Sequence, residues 1–188
     1  MSYQNQSDSN HLSKVIEKAE AGDMESQSSL SYLYLEGDGV SKDYEKAFYW
    51  VVKAAAQGCI YSEYNLGYLY WSGKGTLEDY EKAFYWFSKA AEKGPAKAQN
   101  YLGAMYSSGR GVDENFEEAY IWLSIAAKQN HPNAQCRLAL MYIEGNGVPE
   151  SLSEAAHWAN LAYEQGSEFA AEMMDEYELW DYIYMQKI

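Results

Sequence analysis

Residues 65–94 of this 188-residue chain read NLGYLYWSGKGTLEDYEKAFYWFSKAAEKG, and this stretch decides the fold. Its landmark residues return at a constant step of 36 residues, without an insertion or a deletion. The tyrosine that precedes the G-x-G element, for example, occurs as Tyr34, Tyr70, Tyr106 and Tyr142. A strict period of this length indicates tandem repeats that stack, because a single repeat cannot bury its own apolar faces.

Each repeat is predicted to form two helices joined by the G-x-G element. In the first helix, Leu66 and Tyr70 lie four residues apart and therefore share one face. Glycine after the last turn supplies the left-handed conformation that ends a helix. The second helix is expected to begin at residues that are all good N-caps, namely Asp43, Asp79, Asn115 and Ser151. Asn115 and Ser151 also have a glutamate three residues later, which is the spacing of a capping box.

The period also sets the predicted domain boundaries. We expect a cap at residues 11–22, four repeats at residues 23–58, 59–94, 95–130 and 131–166, and a closing helix at residues 167–188. Terminal elements of this kind shield the apolar faces of the outermost repeats. Residues 11–188 are therefore predicted to form one all-α solenoid, preceded by a disordered polar tail at residues 1–10.

The stretch at residues 65–94 resembles the Sel-one-like repeat (SLR) family, whose members are related to the tetratricopeptide repeats. The family pattern is A-x-x-x-L-G-x-x-Y-x-x-G-x-G-V, followed by D-x-x-K-A, W and A-A-x-x-G, and four copies match over about residues 23–166. Departures are small: Thr76 replaces the valine, for example, and Tyr163 replaces the second alanine. The resemblance implies a right-handed α-α superhelical solenoid whose first helices line a concave groove, and a role as an adaptor for other proteins.

The charge of the chain restricts its partners. It has 28 acidic and 14 basic residues, for a formal net charge of −14. Nucleic acids and anionic membranes bind cationic proteins, so we expect neither as a partner and favour a basic protein or peptide. The polar start lacks the basic and apolar segments of a signal peptide, and no run approaches a membrane span. We therefore expect a cytoplasmic protein in which Cys59 and Cys136 are free thiols.

No catalytic, cofactor or metal site is predicted. The G-x-G elements follow helices and adjoin acidic residues, whereas a phosphate loop follows a strand. The three histidines, His11, His131 and His157, have no cysteine or carboxylate at the spacing of a metal site. Neither cysteine is placed near a histidine that could activate it. A small enzyme or metal protein is therefore the least favoured alternative.

Aromatic residues that the repeat does not require are concentrated in the second repeat. By similarity to tetratricopeptide repeats, we assign its groove positions to Tyr61, Tyr64, Tyr68 and Trp71, beside Tyr32 of the first repeat. Further candidate groove residues are Glu25 and Glu36 as an acidic rim, Asn100, and Trp180. Tyrosine and tryptophan are typical binding anchors, since they bury large areas at a small entropic cost. The alternative is that these rings only pack against the neighbouring hairpin.

These features favour a non-enzymatic adaptor that binds a protein or peptide in its groove. A narrower alternative is an immunity or inhibitor protein that masks a basic toxin or enzyme, for which the acidity of the chain is suited. The closing helix carries Trp180, Tyr182 and Ile183 among acidic residues. We interpret it as a cap for the last repeat, with a second docking surface or a self-association surface as the alternatives.

Overall fold

The computed structural model describes residues 12–185 of the chain. Within these residues there are eleven α-helices and no β-strand, which confirms the prediction of an all-α fold. The helices are α1 (12–20), α2 (Met24–Glu36), α3 (Tyr44–Ala56), α4 (Ile60–Ser72), α5 (Tyr80–Glu92), α6 (Ala96–Ser108), α7 (Phe116–Lys128), α8 (Pro132–Glu144), α9 (Leu152–Glu164), α10 (Glu168–Glu176) and α11 (Trp180–Met185).

Helices α2 to α9 form four hairpins with the predicted period. The first helices of the hairpins begin 36 residues apart, at Met24, Ile60, Ala96 and Pro132. Each of them is followed by a glycine in the left-handed conformation, with φ between 63° and 77°, at Gly37, Gly73, Gly109 and Gly145. Tandem helix hairpins joined by a G-x-G element are thereby confirmed.

The second helix of each hairpin begins beside the predicted N-cap residue. The side chains of these residues accept a hydrogen bond from the backbone N–H three residues later, at 2.9 to 3.3 Å, in Asp43, Asp79, Asn115 and Ser151. The capping box predicted for Asn115 and Ser151 is wrong in one respect. In a capping box the glutamate side chain would accept a hydrogen bond from the backbone N–H of the N-cap residue. The backbone N–H of each residue donates instead to a tyrosine carbonyl, that of Tyr106 or Tyr142, at 2.9 Å. The periodic tyrosine thus holds the loop closed through its backbone.

Within a hairpin, the small residue of the first helix lies against a large residue of the second. A Cβ atom at Gly67 would lie 2.8 Å from the ring of fully buried Phe87. A Cβ atom at Gly103 would lie 2.6 Å from the side chain of Leu123. Because close-packed cores leave no room for an additional methyl group, these glycines allow the two helices of a hairpin to approach each other.

The second glycine of the G-x-G element packs against the preceding hairpin. A side chain at Gly75 would overlap the carbonyl oxygen of Tyr44 at the start of α3, and one at Gly147 would overlap that of Phe116 at the start of α7. Gly39 belongs to the first hairpin and has nothing within 4 Å of the equivalent position. The element therefore joins consecutive hairpins, in addition to reversing the chain.

A buried glutamine in the first helix of a hairpin contacts both the preceding hairpin and the end of the second helix of its own hairpin. Gln135 is fully buried, donates to the carbonyl oxygen of Ala127 at 3.3 Å and accepts from Gln165 at 2.7 Å. The equivalent hydrogen-bonded pairs are Gln27 with Gln57 and Gln99 with Gln129. Since these buried amides are satisfied only when the helices are in place, they specify how the two helices of a hairpin pack together.

The described helices group into two compact units, one ending at Ala90 and the other beginning at Ala91. In the first unit, α1 packs Leu12, Val15 and Ile16 beside the buried cluster that contains Leu30. The single solenoid over residues 11–188 stays a prediction. The tail predicted to be disordered at residues 1–10 lies outside the described residues.

In the second unit, the segment predicted as one closing helix contains two helices, α10 and α11, and both pack against α9. The chain turns between them at Glu178, which adopts a left-handed conformation with φ of 53°. Leu179 is fully buried in the cluster that also contains Met173 and Met174. Burial of Leu179 therefore holds α11 against the last hairpin.

Candidate functional site

Four aromatic side chains form what we call the α4 stripe: Tyr61, Tyr64, Tyr68 and Trp71. Their spacing of three, four and three residues places them on one face of the helix. Tyr61 is 76% exposed, and the other three are half-buried. Tyr32, at the position equivalent to Tyr68 in the preceding hairpin, is 54% exposed. The five predicted aromatic residues thus lie on the first helices of two consecutive hairpins of the first unit.

Two of the half-buried rings of the α4 stripe, Tyr64 and Trp71, pack against the second helix of their own hairpin. The ring centres of Tyr64 and Phe87 lie 5.9 Å apart. Trp71 meets Tyr80 edge-on, with 5.0 Å between ring centres. These contacts fix the orientation of the rings while part of each ring stays accessible. A partner would therefore meet a preorganised aromatic surface, which lowers the entropic cost of binding.

Lys74 adds a positive charge to the α4 stripe, which the sequence analysis did not anticipate. It lies between the two glycines of the G-x-G element, and its ammonium group donates to the Tyr68 hydroxyl at 3.1 Å. The ammonium also lies 5.3 Å from the ring centre of Tyr68 and 5.4 Å from that of Tyr44. Attraction between the cation and the aromatic faces holds it there. The only signal in the sequence was a lysine where the other repeats have Asp38, Arg110 and Asn146.

The predicted acidic rim lies on the helix that carries Tyr32. Glu25 is in the first turn of α2 and Glu36 is its last residue, and both are exposed. Tyr32 is therefore flanked by a carboxylate toward each end of its helix.

The remaining predicted site residues, Asn100 and Trp180, belong to the second unit. Asn100 is only 6% exposed, and its Oδ1 atom has no hydrogen-bond partner among the residues that the structure describes. The indole Nε1 of Trp180 donates to Asp175 at 2.6 Å. The Trp180 ring also meets Tyr163 edge-on, at 5.1 Å between ring centres. Asn100 is thus mostly covered, whereas Trp180 is held at the surface by two neighbours.

The two cysteines are free thiols, as predicted, in different surroundings. Cys59 precedes α4, and its Sγ atom lies 3.4 Å from the Ser28 hydroxyl. Burial opposes ionisation of Cys59, but hydrogen bonds with Ser28 and then Ser62 outweigh it and lower the pKa. Burial raises the pKa of Cys136, although the Ser167 hydroxyl at 3.6 Å acts in the opposite direction.

His131 has a structural contact that the sequence analysis missed. Its Nδ1 atom accepts a hydrogen bond from the backbone N–H of Ala134 at 3.4 Å and so caps α8. Burial, followed by the charges of Lys97 and Arg137, lowers the pKa of His131. The ring is therefore kept in the neutral form that can accept this hydrogen bond.

Neither a metal site nor a membrane-spanning helix is found among the described residues. Across residues 12–185, no group of three or more histidine, cysteine, aspartate or glutamate side chains could hold a metal ion. Over the same part of the chain, none of the helices has the length and hydropathy needed to cross a membrane.

Comparison with known families gives four consecutive matches to the Sel1 repeat. The matched segments are residues 25–59, 60–95, 96–131 and 132–167. A comparison with curated protein sequences gives no match.

Several solved structures are similar to this chain. A protective antigen with an SLR fold from uropathogenic Escherichia coli is 37% identical, with a TM-score of 0.81, over 87% of this chain and 35% of that protein. A Sel1 repeat protein from Oxalobacter formigenes is 31% identical, with a TM-score of 0.73, over 80% of this chain and 61% of that protein. Cysteine-rich protein B of Helicobacter pylori is 25% identical, with a TM-score of 0.55, over 70% and 95% of the respective chains. The present chain thus spans less than two thirds of the first two proteins.

Proposed function

The chain belongs to the Sel1 repeat family, and we propose that it is a non-enzymatic adaptor that binds a protein or peptide through the α4 stripe. Sel1 repeat proteins are generally non-catalytic scaffolds for protein interactions. In our proposal the partner lies in the concave groove that the family likeness assigns to the first helices. One observation carries this proposal: aromatic rings that the repeat does not require lie along one face of a first helix, and each is at least partly exposed.

The chemistry of the α4 stripe suits a protein partner. Tyr61 and Tyr32 expose large rings with hydroxyl groups, which combine apolar contact with hydrogen bonding. Trp71 and Tyr64 are held by ring contacts with α5, so that little side-chain freedom remains to be lost on binding. The Lys74 ammonium beside Tyr68 places a positive charge next to these rings. Fixed aromatic rings near a few polar groups are typical of binding hot spots.

A basic partner is part of the same proposal. The net charge of −14 would attract a basic protein over a long range and increase its rate of association. It would disfavour nucleic acids and anionic membranes for the same electrostatic reason. In this proposal the net charge attracts the partner from a distance, and the local charge of Lys74 affects how the partner is oriented at the α4 stripe.

We also propose a cytoplasmic location, and a narrower role as the alternative to a general adaptor. Free thiols such as Cys59 and Cys136 persist in reducing compartments, which supports this location. The narrower role is that of an inhibitor of a basic toxin or enzyme, which the net charge supports. A toxin gene directly upstream of the gene for this chain would favour the role of inhibitor. A position of that gene within a signalling operon would favour the role of adaptor.

Photo-crosslinking from the α4 stripe tests the proposal. The photoreactive residue p-benzoylphenylalanine replaces Tyr61 in one variant and Tyr85 in a control variant. Tyr85 is a suitable control because it is also exposed, at 53%, but lies on the second helix α5. We expect position 61 to yield a discrete crosslinked protein in lysate of the source organism, and position 85 to yield much less. Equal crosslinking at both positions would remove the α4 stripe as the binding site.

A further inference from the structure

A second exposed aromatic surface lies at the C-terminal end of the second unit. We call it the closing surface, and its residues come from α9, α10 and the start of α11: Tyr163, Phe169, Glu172, Asp175, Glu176 and Trp180. Phe169 is 52% exposed and Tyr163 is 43% exposed. Exposed apolar rings that are grouped together and rimmed by polar residues are typical of interaction surfaces.

Helical geometry makes the α10 part of the closing surface continuous. At about 100° per residue, Asp175, Glu172, Glu176 and Phe169 fall within one arc of about 120°. The opposite arc carries Met173 and Met174, which are buried against the last hairpin. The three carboxylates and the phenyl ring therefore share the solvent-facing side of α10.

Trp180 extends this surface from α10 to α9. Its indole donates to Asp175 at 2.6 Å, at one edge of the α10 arc, and its ring meets Tyr163 edge-on. Asp175 and Tyr163 thus fix the Trp180 ring between them. These contacts join the exposed side of α10 to Trp180 and Tyr163.

The repeat does not account for an aromatic ring at Tyr163. The other hairpins have alanine at this position, and each of these alanines is only 1% exposed: Ala55, Ala91 and Ala127. Tyr163 has 43% of its surface exposed in the same position of the last hairpin. The larger residue contacts the Trp180 ring and leaves the rest of its own ring accessible to a partner.

Among the described residues, the carboxylates of the closing surface are not compensated by an ion pair. Residues 138–186 contain ten aspartates and glutamates and neither lysine nor arginine. None of the three carboxylates on the closing surface forms an ion pair within residues 12–185. In the first unit, by contrast, Asp43 and Asp79 form ion pairs with lysines three residues later. Like charges held close together repel one another, and a cationic ligand would relieve that repulsion.

We propose that the closing surface binds a segment of a partner protein that is rich in arginine and lysine. Guanidinium or ammonium groups would pair with Glu172 and Glu176 and lie against the faces of Phe169, Tyr163 and Trp180, where cations are attracted by the aromatic quadrupole. The same sign of charge on both copies opposes self-association through this surface. The proposal does not depend on the α4 stripe, because it assigns a different surface and a specific ligand chemistry.

A defined peptide tests this proposal without knowledge of the natural partner. The probe is a fluorescein-labelled peptide of alternating arginine and glycine, and its control is a peptide of alternating glutamate and glycine. Fluorescence anisotropy should show binding of the arginine peptide at low ionic strength, weakening as sodium chloride is added. Binding of the two peptides with equal affinity would overturn the proposal.

Matched variants assign the binding to the closing surface. We expect Glu172→Gln with Glu176→Gln to weaken binding of the arginine peptide roughly threefold to tenfold, and Tyr163→Ala to weaken it about threefold. The charge-matched control, Glu45→Gln with Glu81→Gln, removes two exposed carboxylates from the first unit, and Tyr85→Ala removes an exposed ring there. Equal losses in the control pair would show attraction by net charge alone and would overturn the proposal.

Two further measurements distinguish the proposal from a loss of stability and from self-association. Phe169→Ala truncates a ring that is 52% exposed, so it should weaken binding while leaving thermal unfolding unchanged. If Tyr163→Ala lowers stability, Phe169→Ala alone decides the aromatic contribution. Sedimentation velocity reports on the alternative occupant, a second copy of the chain. A dimer that Tyr163→Ala and Phe169→Ala dissociate, with no peptide binding, would replace the proposal by self-association.

Discussion

Asp79 stabilises the start of α5 in two ways. Its carboxylate accepts a hydrogen bond from the backbone N–H of Lys82 at 2.9 Å, and forms an ion pair with the Lys82 ammonium at 2.8 Å. The Lys82 side chain, followed by its backbone N–H, lowers the pKa of Asp79. Folding therefore favours the ionised carboxylate over the protonated acid.

This shift gives a pH dependence with a definite sign. Because the pKa of Asp79 is lower in the folded chain, its stabilising contribution is complete above the unfolded pKa, at about pH 4, and is lost as the pH falls through the folded pKa. Asp79→Asn keeps a cap acceptor but cannot titrate. We expect the wild type to lose stability relative to Asp79→Asn between about pH 5 and pH 2. Urea unfolding followed by circular dichroism measures this difference, and a difference that is constant with pH would contradict the assignment.

At the scale of single residues, the sequence predicted where the N-cap residues lie better than it predicted which groups they contact. Asp43, Asp79, Asn115 and Ser151 could be identified as N-caps because the class of residue and the period agree. The second half of the capping box could not be predicted, since it is replaced by the carbonyl of a tyrosine on the preceding helix. The contacts of Lys74 with Tyr68 and Tyr44 likewise depend on how α3, α4 and the G-x-G element pack.

At the scale of the helices, each hairpin depends on paired residue sizes. Gly67 lies against Phe87, and the fourth hairpin has alanine at both equivalent positions, Ala139 and Ala159, which share one buried cluster. Where the second helix has a small residue at this contact, the first helix can therefore carry a methyl group. Glycine in a helix is unfavourable by about 1 kcal/mol relative to alanine, so the glycine is retained because the ring needs the space.

Gly67→Ala is therefore expected to change the sign of its effect with the residue at position 87. In the wild type, the added methyl group meets the Phe87 ring and should destabilise the fold by about 1 to 3 kcal/mol. In a Phe87→Ala background, the pair matches the fourth hairpin, and Gly67→Ala should be neutral or stabilising by up to about 1 kcal/mol. A double-mutant cycle from urea unfolding measures this coupling. The same effect of Gly67→Ala in both backgrounds would contradict the proposed contact.

The period was sufficient to predict the eight helices of the hairpins, because apolar spacing, glycine and N-cap residues all agree. The break between α10 and α11 was not predictable in this way. It occurs at Glu178, a left-handed residue without the glycine that normally signals such a turn. Burial of Leu179 in a cluster with Met173 and Met174 favours this turn, and that cluster is formed only by tertiary packing.

At the scale of the whole molecule, the two compact units carry different surface chemistry. The first has aromatic residues on α4 with Lys74 beside them, and lysines paired with Asp43 and Asp79. The second contains a stretch of 49 residues, 138–186, between Arg137 and Lys187, in which there is neither lysine nor arginine. The α4 stripe thus combines aromatic rings with one cation, whereas the closing surface combines aromatic rings with carboxylates.

The candidate site could be predicted from the sequence as a set of positions but not as a surface. Helical register placed Tyr61, Tyr64, Tyr68 and Trp71 on one face, and the structure agrees. Helical register could not show that the Tyr61 side chain is mostly exposed while the Trp71 ring packs against α5, because both depend on the position of α5. It also gave no indication that Asn100 would be buried.

The most direct test of the central claim, that the α4 stripe and Tyr32 bind the partner, is an affinity measurement. Titration calorimetry with the partner identified by crosslinking would compare the pair Tyr32→Ala and Tyr61→Ala with the pair Tyr49→Ala and Tyr85→Ala. All four rings are at least half exposed, but the second pair lies on α3 and α5. We predict that the first pair weakens binding by about tenfold or more, and that the second pair leaves the affinity unchanged. Equal affinity of the two variants for the partner would contradict the claim.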